Sequence, residues 1–299
     1  MTLAKALWRG AGVGTLALMI ALLAATPGSF AEQKPASAAP DIHEHMRTLE
    51  MPDGSLVVVF ALIDHSRGDP VATMDRLLPG SIEPEPGGAM AAFAVNGKWR
   101  DVAAASPLAV KYYPANQPTG IDGAFATQYG IDAWNVIPGH SFRFGYRGVT
   151  NSLGGQCSGE PAQFDTIVTM SWSSDFTDPT IADTCYRIYR FANGTEFIGE
   201  ADIRLRTNVE WSTAIPTPAG RFDLMSTVIH ELGHVLGLNH TEVAGSIMTT
   251  TAHRGEQLLP GPDDIAGLRS LYGNNDPIPP PIDRSNLPKK TQILLMSRE

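Results

Sequence analysis

Three histidines with the spacing of a metal site lie in the C-terminal half of the chain. His230 and His234 are four residues apart, so on a helix of 3.6 residues per turn both imidazoles project from one face and can share one metal ion. Gly237 can adopt the left-handed conformation that ends a helix, and the reversed chain can then bring His240 to the same ion. The spacing predicts one catalytic zinc held by three histidines, with a fourth tetrahedral position for water.

Glu231 directly follows the first of these histidines and is the predicted catalytic residue. Three neutral ligands leave zinc its full charge, which lowers the pKa of bound water from about 15.7 toward 7. Glu231 lies about 100° around the helix from His230, where its carboxylate can reach that water without becoming a ligand. We expect it to act as general base on the water and then as the acid that protonates the leaving amine.

The hydrophobic pattern predicts the elements that position this motif. Residues 223–236 form a predicted helix that contains the motif, with Asp223 as its N-cap and Gly237 as its end. Residues 121–134 and 262–272 are further predicted helices. Short apolar or alternating runs predict strands at residues 56–63, 110–113, 142–146, 164–170, 186–191 and 203–210.

At the histidine motif the sequence resembles the metzincin superfamily of zinc endopeptidases, and more narrowly the matrixin family. Residues 246–248, Ser-Ile-Met, are similar to the Met-turn that lies beneath the metal in metzincins. Residues 263–273 resemble the matrixin C-terminal helix, and residues 133–135 and the segment at Trp211 fit the same family. The resemblance covers roughly residues 106–273.

The resemblance implies an α+β fold with a metzincin-like catalytic domain over residues 106–273. Such a domain has a twisted mixed β-sheet, an active-site helix and a C-terminal helix, here preceded by a small β-containing N-terminal segment. It implies zinc on the three histidines, Glu231 as catalytic acid/base, and Met248 beneath the metal without binding it. An extended peptide substrate would pair with an exposed strand edge, and position relative to the family favours residues 186–191 for that edge.

Residues 32–105, before the predicted catalytic domain, depart from the family. Matrixin zymogens resemble one another in a pro-segment cysteine that occupies the fourth zinc position, and neither cysteine of this chain lies in such a segment. Residues 32–45 are rich in Ala and Pro, which predicts a flexible lead-in, and Asn96-Gly97 predicts a hairpin turn. The region is therefore expected to be a pro-segment or a small accessory unit.

Two further polar clusters could bind metal, although we expect both to be solvated. Four side chains could bind zinc in a latent form of the protein: His43, His45, Asp64 and His65. Three carboxylates could bind calcium: Asp175, Asp178 and Asp183. Calcium is thus possible but unsupported by the sequence.

The two ends of the chain have distinct compositions. Lys5 and Arg9 precede an apolar run that ends in small residues, which predicts a signal peptide over residues 1–31 cleaved after Ala31; an uncleaved signal anchor is the alternative. No apolar run reaches the roughly 20 residues of a membrane span, so we expect a secreted protein without a transmembrane domain after cleavage. Residues 274–299 are Pro-rich and predicted to be disordered.

Charge and cysteine content narrow the function classes. The chain has 22 Lys and Arg against 31 Asp and Glu, a net charge of −9, which argues against nucleic acid as a partner. Its two cysteines, Cys157 and Cys185, could form one disulfide in an oxidising compartment. Two unpaired thiols are the alternative.

These features together predict a secreted zinc-dependent endopeptidase that acts on protein or peptide substrates, with Glu231 activating the water. A catalytically inactive zinc-containing binding module is one alternative, but it would have no chemical need for Glu231. A zinc hydrolase of small molecules is another, and substrate profiling would distinguish it.

Overall fold

The described strands form one seven-stranded sheet and one short parallel pair. The computed structural model describes residues 42–83, 97–100, 102, 106–154, 165–176, 179–190 and 196–273. Its strands are β1 (Ile42–Glu50), β2 (Leu56–Asp64), β3 (Leu108–Tyr112), β4 (Phe144–Val149), β5 (Val168–Ser173), β6 (Thr180–Arg190), β7 (Glu196–Arg206), β8 (Trp211–Ser212) and β9 (Phe222–Asp223). Its helices are α1 (Pro70–Leu77), α2 (Gly123–Asn135), α3 (Leu224–Leu236) and α4 (Pro262–Tyr272).

The large sheet is mixed, with the strand order β1-β2-β6-β7-β5-β3-β4. Strand β3 pairs in parallel with β4 and β5, and β5 pairs in parallel with β7. The pairs β6–β7, β2–β6 and β1–β2 are antiparallel. A mixed sheet combined with separate helices confirms the predicted α+β class.

The active-site helix α3 starts and ends where the sequence predicts. The carboxylate of Asp223 accepts a hydrogen bond from the Ser226 amide at 2.7 Å, as an N-cap does. Helix α2 packs against α3, and the indole Nε1 of Trp134 donates to the Ile229 carbonyl at 2.9 Å. Buried contacts of this kind fix α3 in the core, so the side chains on its other face are held in place.

Strand β2 is the predicted apolar run, and both of its faces are covered. Phe60 points into the main core and stacks on a histidine of α3. Val59 points the other way, into a second core that includes Met74 of α1. A strand buried on both faces has a continuous apolar sequence, which is the pattern that residues 56–63 show.

Two sequence-based expectations about strands are wrong. Residues 42–45 were expected to be flexible but begin β1, which pairs with β2 in a continuous register. Residues 186–190 belong to β6, which lies between β2 and β7 and is therefore not an edge of the sheet. Helix α1 was not predicted, although its N-cap Asp69 and Pro70 at its first position are ordinary start signals.

Several predicted features lie outside the described residues: the signal peptide at residues 1–31, Asn96 of the predicted turn, Cys157, Asp178 and the tail at residues 274–299. Among the described helices, none combines the length and apolar character needed to cross a membrane.

Candidate metal centre

The imidazoles of His230 and His234 project together from α3 and face one point. Their Nε2 atoms are 3.0 Å apart. Nδ1 of His230 lies 2.7 Å from the Ile247 carbonyl, and Nδ1 of His234 lies 2.9 Å from the Leu238 carbonyl. Because a carbonyl only accepts, each Nδ1 carries a proton, so Nε2 is the ring nitrogen of each imidazole that would bind a metal.

The third histidine reaches this point through the turn that ends α3. Gly237 adopts a left-handed conformation with φ of 98°, and the Leu238 amide donates to the Gly233 carbonyl at 3.0 Å. The chain reverses there, as helices with glycine at this position commonly do. The His240 ring then lies 4.8 Å from that of His234, measured between centroids.

A fourth side chain at the centre comes from β1 and was not anticipated from the sequence. The Oε2 atom of Glu44 lies 2.5 Å from Nε2 of His230, 3.1 Å from that of His234 and 2.5 Å from that of His240. The Glu44 side chain is fully buried. The four potential ligand atoms all lie within 4.8 Å of one another.

The electrostatics of this cluster favour an ionised carboxylate. Burial alone would raise the pKa of Glu44, but the three imidazoles outweigh burial and hold that pKa well below its usual value. Burial would likewise lower the pKa of His230, but Glu44 outweighs it and raises that pKa to about 9. Glu44 therefore presents an anionic oxygen to the three nitrogens.

This donor set fits zinc. Three imidazole nitrogens and one carboxylate oxygen are ligand types that zinc accepts in tetrahedral sites. The fixed Nδ1 hydrogen bonds of His230 and His234 are the outer contacts that usually orient such ligands. A hard cation such as magnesium or calcium would instead require mostly oxygen ligands.

The carboxylate of Glu231 lies fully buried beside the centre. Its Oε2 atom accepts a hydrogen bond from the Thr184 hydroxyl on β6 at 2.5 Å, while Oε1 has no hydrogen-bond partner within the described residues. Burial raises its pKa well above the usual value, and the charge of Glu44 raises it further. One oxygen is thus held and the other is available to exchange a proton.

The segment with Met248 lies against α3 and is held by a buried carboxylate of α4. Asp264 accepts hydrogen bonds from the amides of Ile247 at 2.8 Å and Met248 at 3.2 Å, and from the Ser246 hydroxyl. A Cβ at Gly233 would come within 2.3 Å of the Met248 sulfur, so the sulfur fills the space that this glycine leaves. The Met-turn expectation is compatible with this placement.

The other polar clusters are not at the metal centre. His43 and His45 alternate with Glu44 along β1 and form a separate group with His65, in which Nε2 of His45 and Nε2 of His65 are 2.7 Å apart. Asp183 forms an ion pair with Arg204, with 3.0 Å between Oδ1 and Nε. The residue that actually reaches the histidines, Glu44, carries no local signal that distinguishes it from its neighbours.

Comparison with known proteins relates the chain to metalloproteinases. The sequence profile of the matrixin family (Peptidase_M10) matches residues 47–273. Metalloendoproteinase 4-MMP of Arabidopsis thaliana is 44% identical over 54 residues, or 18% of this chain and 16% of that protein. Matrix metalloproteinase-16 of Homo sapiens is 36% identical over 83 residues, which are 27% of this chain and 13% of that protein. Stromelysin-3 of Homo sapiens is 43% identical over 51 residues, which are 17% of this chain and 10% of that protein. The chain thus spans less than a fifth of the length of each of these relatives.

The fold and the centre together define a class of protein. A mixed sheet, a helix presenting two histidines and a glutamate, and a third histidine after a glycine turn make an α+β metalloproteinase-type catalytic domain. The profile match covers well over half of the chain. The chain belongs to the matrixin family.

Proposed function

We propose that this protein is a secreted zinc-dependent endopeptidase that hydrolyses peptide bonds in protein substrates. The observation that carries the proposal is the convergence of the Nε2 atoms of His230, His234 and His240 beside the buried carboxylate of Glu231. When bound to those nitrogens, zinc supplies Lewis acidity toward water and toward a scissile carbonyl. The similarity to a metalloendoproteinase and to a matrix metalloproteinase supports the same reaction class.

The chain's own residues perform the proton transfers. Glu231 accepts a proton from the attacking water and delivers it to the leaving amine, which general acid–base groups do with rate gains of about 10²–10⁴-fold. The Thr184 hydroxyl fixes one oxygen of this carboxylate, which leaves the other to exchange the proton. The Ile247 and Leu238 carbonyls accept from Nδ1 of two of the imidazoles, which orients Nε2 of each ring for the metal.

A cavity beside His230 supports a preference for apolar substrate side chains. Its lining combines the apolar side chains of Phe222, Ile247 and Leu258 with polar ones such as Thr227 and Glu256. Apolar side chains in such a lining select substrate side chains by size, with one methylene worth about 1–3 kcal/mol. We therefore expect cleavage next to a Leu-sized or larger apolar residue, to be tested with a peptide library.

We extend the proposal to export and to a disulfide. The charge order and small residues of residues 1–31 support cleavage after Ala31. Export would place Cys185 of β6 and Cys157 in an oxidising compartment, where their pairing closes one loop. N-terminal sequencing of the secreted protein, with non-reducing peptide mapping, tests both points.

Replacement of Glu231 by Gln tests the reaction. In the secreted, fully processed protein, Glu231→Gln should keep about one zinc per chain while peptide cleavage falls about 10²–10⁴-fold. Glu242→Gln, at an exposed position in the loop after His240, is the matched control and should leave both unchanged. Persistent cleavage by Glu231→Gln would refute the assignment of the base, and a zinc-loaded protein without peptidase activity would favour the binding module or small-molecule hydrolase.

A further inference from the structure

The β1–β2 hairpin lies across the metal centre and closes it. Exposed fractions of the side chains of His230, His234 and His240 are 11%, 0% and 6%. The Phe60 ring of β2 stacks on the His234 ring, with 3.9 Å between centroids and 11° between planes. A peptide bond therefore cannot reach the three nitrogens while the hairpin is in this position.

The hairpin also pairs with β6, the strand that holds the catalytic carboxylate through Thr184. In the β2–β6 register, Phe60 is opposite Thr184, the residue whose hydroxyl holds Glu231. Leu62 of β2 lines the cavity beside His230. Strand β2 thus takes the backbone pairing and the pocket that an extended substrate would use.

Strand β1, the outer strand of the hairpin, is fixed to the segment that follows Met248. The Glu44 amide donates to the Thr250 carbonyl at 2.8 Å, and His43 forms an isolated antiparallel bridge with Thr251. The backbone at His43 and Glu44 is therefore anchored, and the Glu44 side chain is directed at the histidines. With zinc on the three nitrogens, a carboxylate oxygen held there would occupy the ligand position that hydrolysis requires for water.

We propose that Glu44 is the fourth zinc ligand of a latent form and that the β1–β2 hairpin is an inhibitory segment whose removal opens the site. The inference rests on the proposed endopeptidase function. Release of the hairpin would make β6 an edge strand next to Glu231, as an extended substrate needs.

The activating cut must fall after β2 and before Trp99. Trp99 is tied to the body of the domain, because its indole Nε1 donates to the Val235 carbonyl at 2.7 Å and its amide donates to the Tyr272 hydroxyl at 3.0 Å. The chain from Trp99 onward therefore stays with α3 and α4 when the hairpin leaves.

Cobalt spectroscopy on the full chain tests Glu44 as a ligand without using activity. In the Glu231→Gln background, which prevents self-cleavage, the Co²⁺ absorption spectrum should not respond to acetohydroxamate. Adding Glu44→Ala or Glu44→Gln should change the spectrum and make it respond, whereas Glu50→Ala, an exposed carboxylate on the same strand, should not. An unchanged spectrum would overturn the assignment. Loss of Co²⁺ binding by both Glu44 variants would also overturn it, because a ligand removed on activation cannot be needed to retain metal.

The inhibitory role of the hairpin can be tested by controlled cleavage. For this test, a site for a sequence-specific protease is inserted at Arg67, an exposed residue in the turn after β2. A tethered blocking segment has a millimolar effective concentration, so cutting should release the hairpin and raise peptide cleavage at least about 100-fold. An uncut chain as active as the cut one, or a hairpin that stays bound after the cut, would overturn the proposal. A released hairpin and a hydroxamate-accessible metal without any peptide cleavage would support the role of Glu44 and contradict the endopeptidase function instead.

Discussion

The buried hydrogen bond between Thr184 and Glu231 joins the sheet to the active-site helix. A carboxylate with two free oxygens could turn within its cavity, but the Thr184 hydroxyl holds Oε2 at 2.5 Å. Small displacements of a catalytic group cost large factors in rate. Thr184 is therefore a positioning residue, and its effect should be separable from metal binding.

Thr184→Val keeps the side-chain shape and removes the hydroxyl. We expect kcat/KM of the processed protein to fall about 10–100-fold because Glu231 loses its fixed orientation. Zinc content, measured by atomic absorption, should stay at one per chain, since Thr184 contacts none of the three histidines through this bond. Thr184→Ser, which keeps the hydroxyl, should retain most of the activity of the parent protein. Equal losses in the Ser and Val variants would show that packing of the methyl group, rather than the hydrogen bond, matters.

The residues of the centre differ in how far the sequence can predict them. His230, Glu231 and His234 lie within one helical turn, so their relative placement follows from helix geometry alone. Glu44 lies 186 residues from His230 along the chain, and only the pairing of β1 with β2, and of β2 with β6, brings it there. Long-range strand pairing has no local sequence signature, which is why Glu44 and Thr184 were missed.

At the scale of elements, the left-handed turn that ends α3 determines where the third histidine, His240, lies. Gly237 has φ of 98°, and a Cβ there would come within 2.1 Å of the Gly97 carbonyl oxygen. Both the backbone conformation and the contact therefore exclude larger residues. The same turn sets the direction in which the chain leaves toward His240.

Gly237→Ala should lower the free energy of unfolding and weaken zinc binding. The left-handed conformation alone costs a residue with a Cβ about 1–2 kcal/mol, and displacement of the Gly97 carbonyl adds to this. Gly245→Ala is the control, because Gly245 also has positive φ, 82°, but no atom within 4 Å of its would-be Cβ. Urea unfolding and competition with a zinc chelator measure both effects. Equal destabilisation of the two variants, with zinc affinity unchanged, would contradict the role of this turn.

Among the elements, those with local signals were predicted well and those that depend on neighbours were not. The helix predicted at residues 223–236 is α3, because Asp223 and Gly237 are clear end signals. Strand β1 has the polar sequence IHEHMRTLE and becomes a strand because β2 offers it a backbone edge. The presence of β1 and β2 also explains why β6, expected as an edge, is covered on both sides.

At the scale of the whole molecule, the N-terminal hairpin is built into the catalytic sheet. Strand β2 contributes Phe60 to the main core and Val59 to a second core, so it is packed as an interior strand. A segment that both blocks the centre and completes the core would make the latent form the more stable one. Removal of the hairpin would exchange part of this stability for an accessible site.

Glu200 on β7 gives the stability of the molecule a pH dependence. It is fully buried, its Oε2 accepts from the Thr166 amide at 2.8 Å, and burial raises its pKa from 4.5 to about 7. An acid whose pKa is raised by folding binds its proton more tightly in the folded state. The contribution of Glu200 to the stability of the folded state is therefore largest below pH 4.5 and declines as the pH rises toward about 7.

Glu200→Gln should remove this decline, because the amide cannot ionise and its oxygen can still accept from Thr166. We expect the unfolding free energy of the variant, from urea titrations in the Glu231→Gln background, to fall less than that of the parent between pH 5 and pH 8. The histidine ligands titrate in both proteins, so the difference between the two curves isolates Glu200. Glu242→Gln, at an exposed position, should follow the parent curve. A Glu200→Gln curve parallel to that of the parent across this range would show that burial of Glu200 does not shape the stability of the fold.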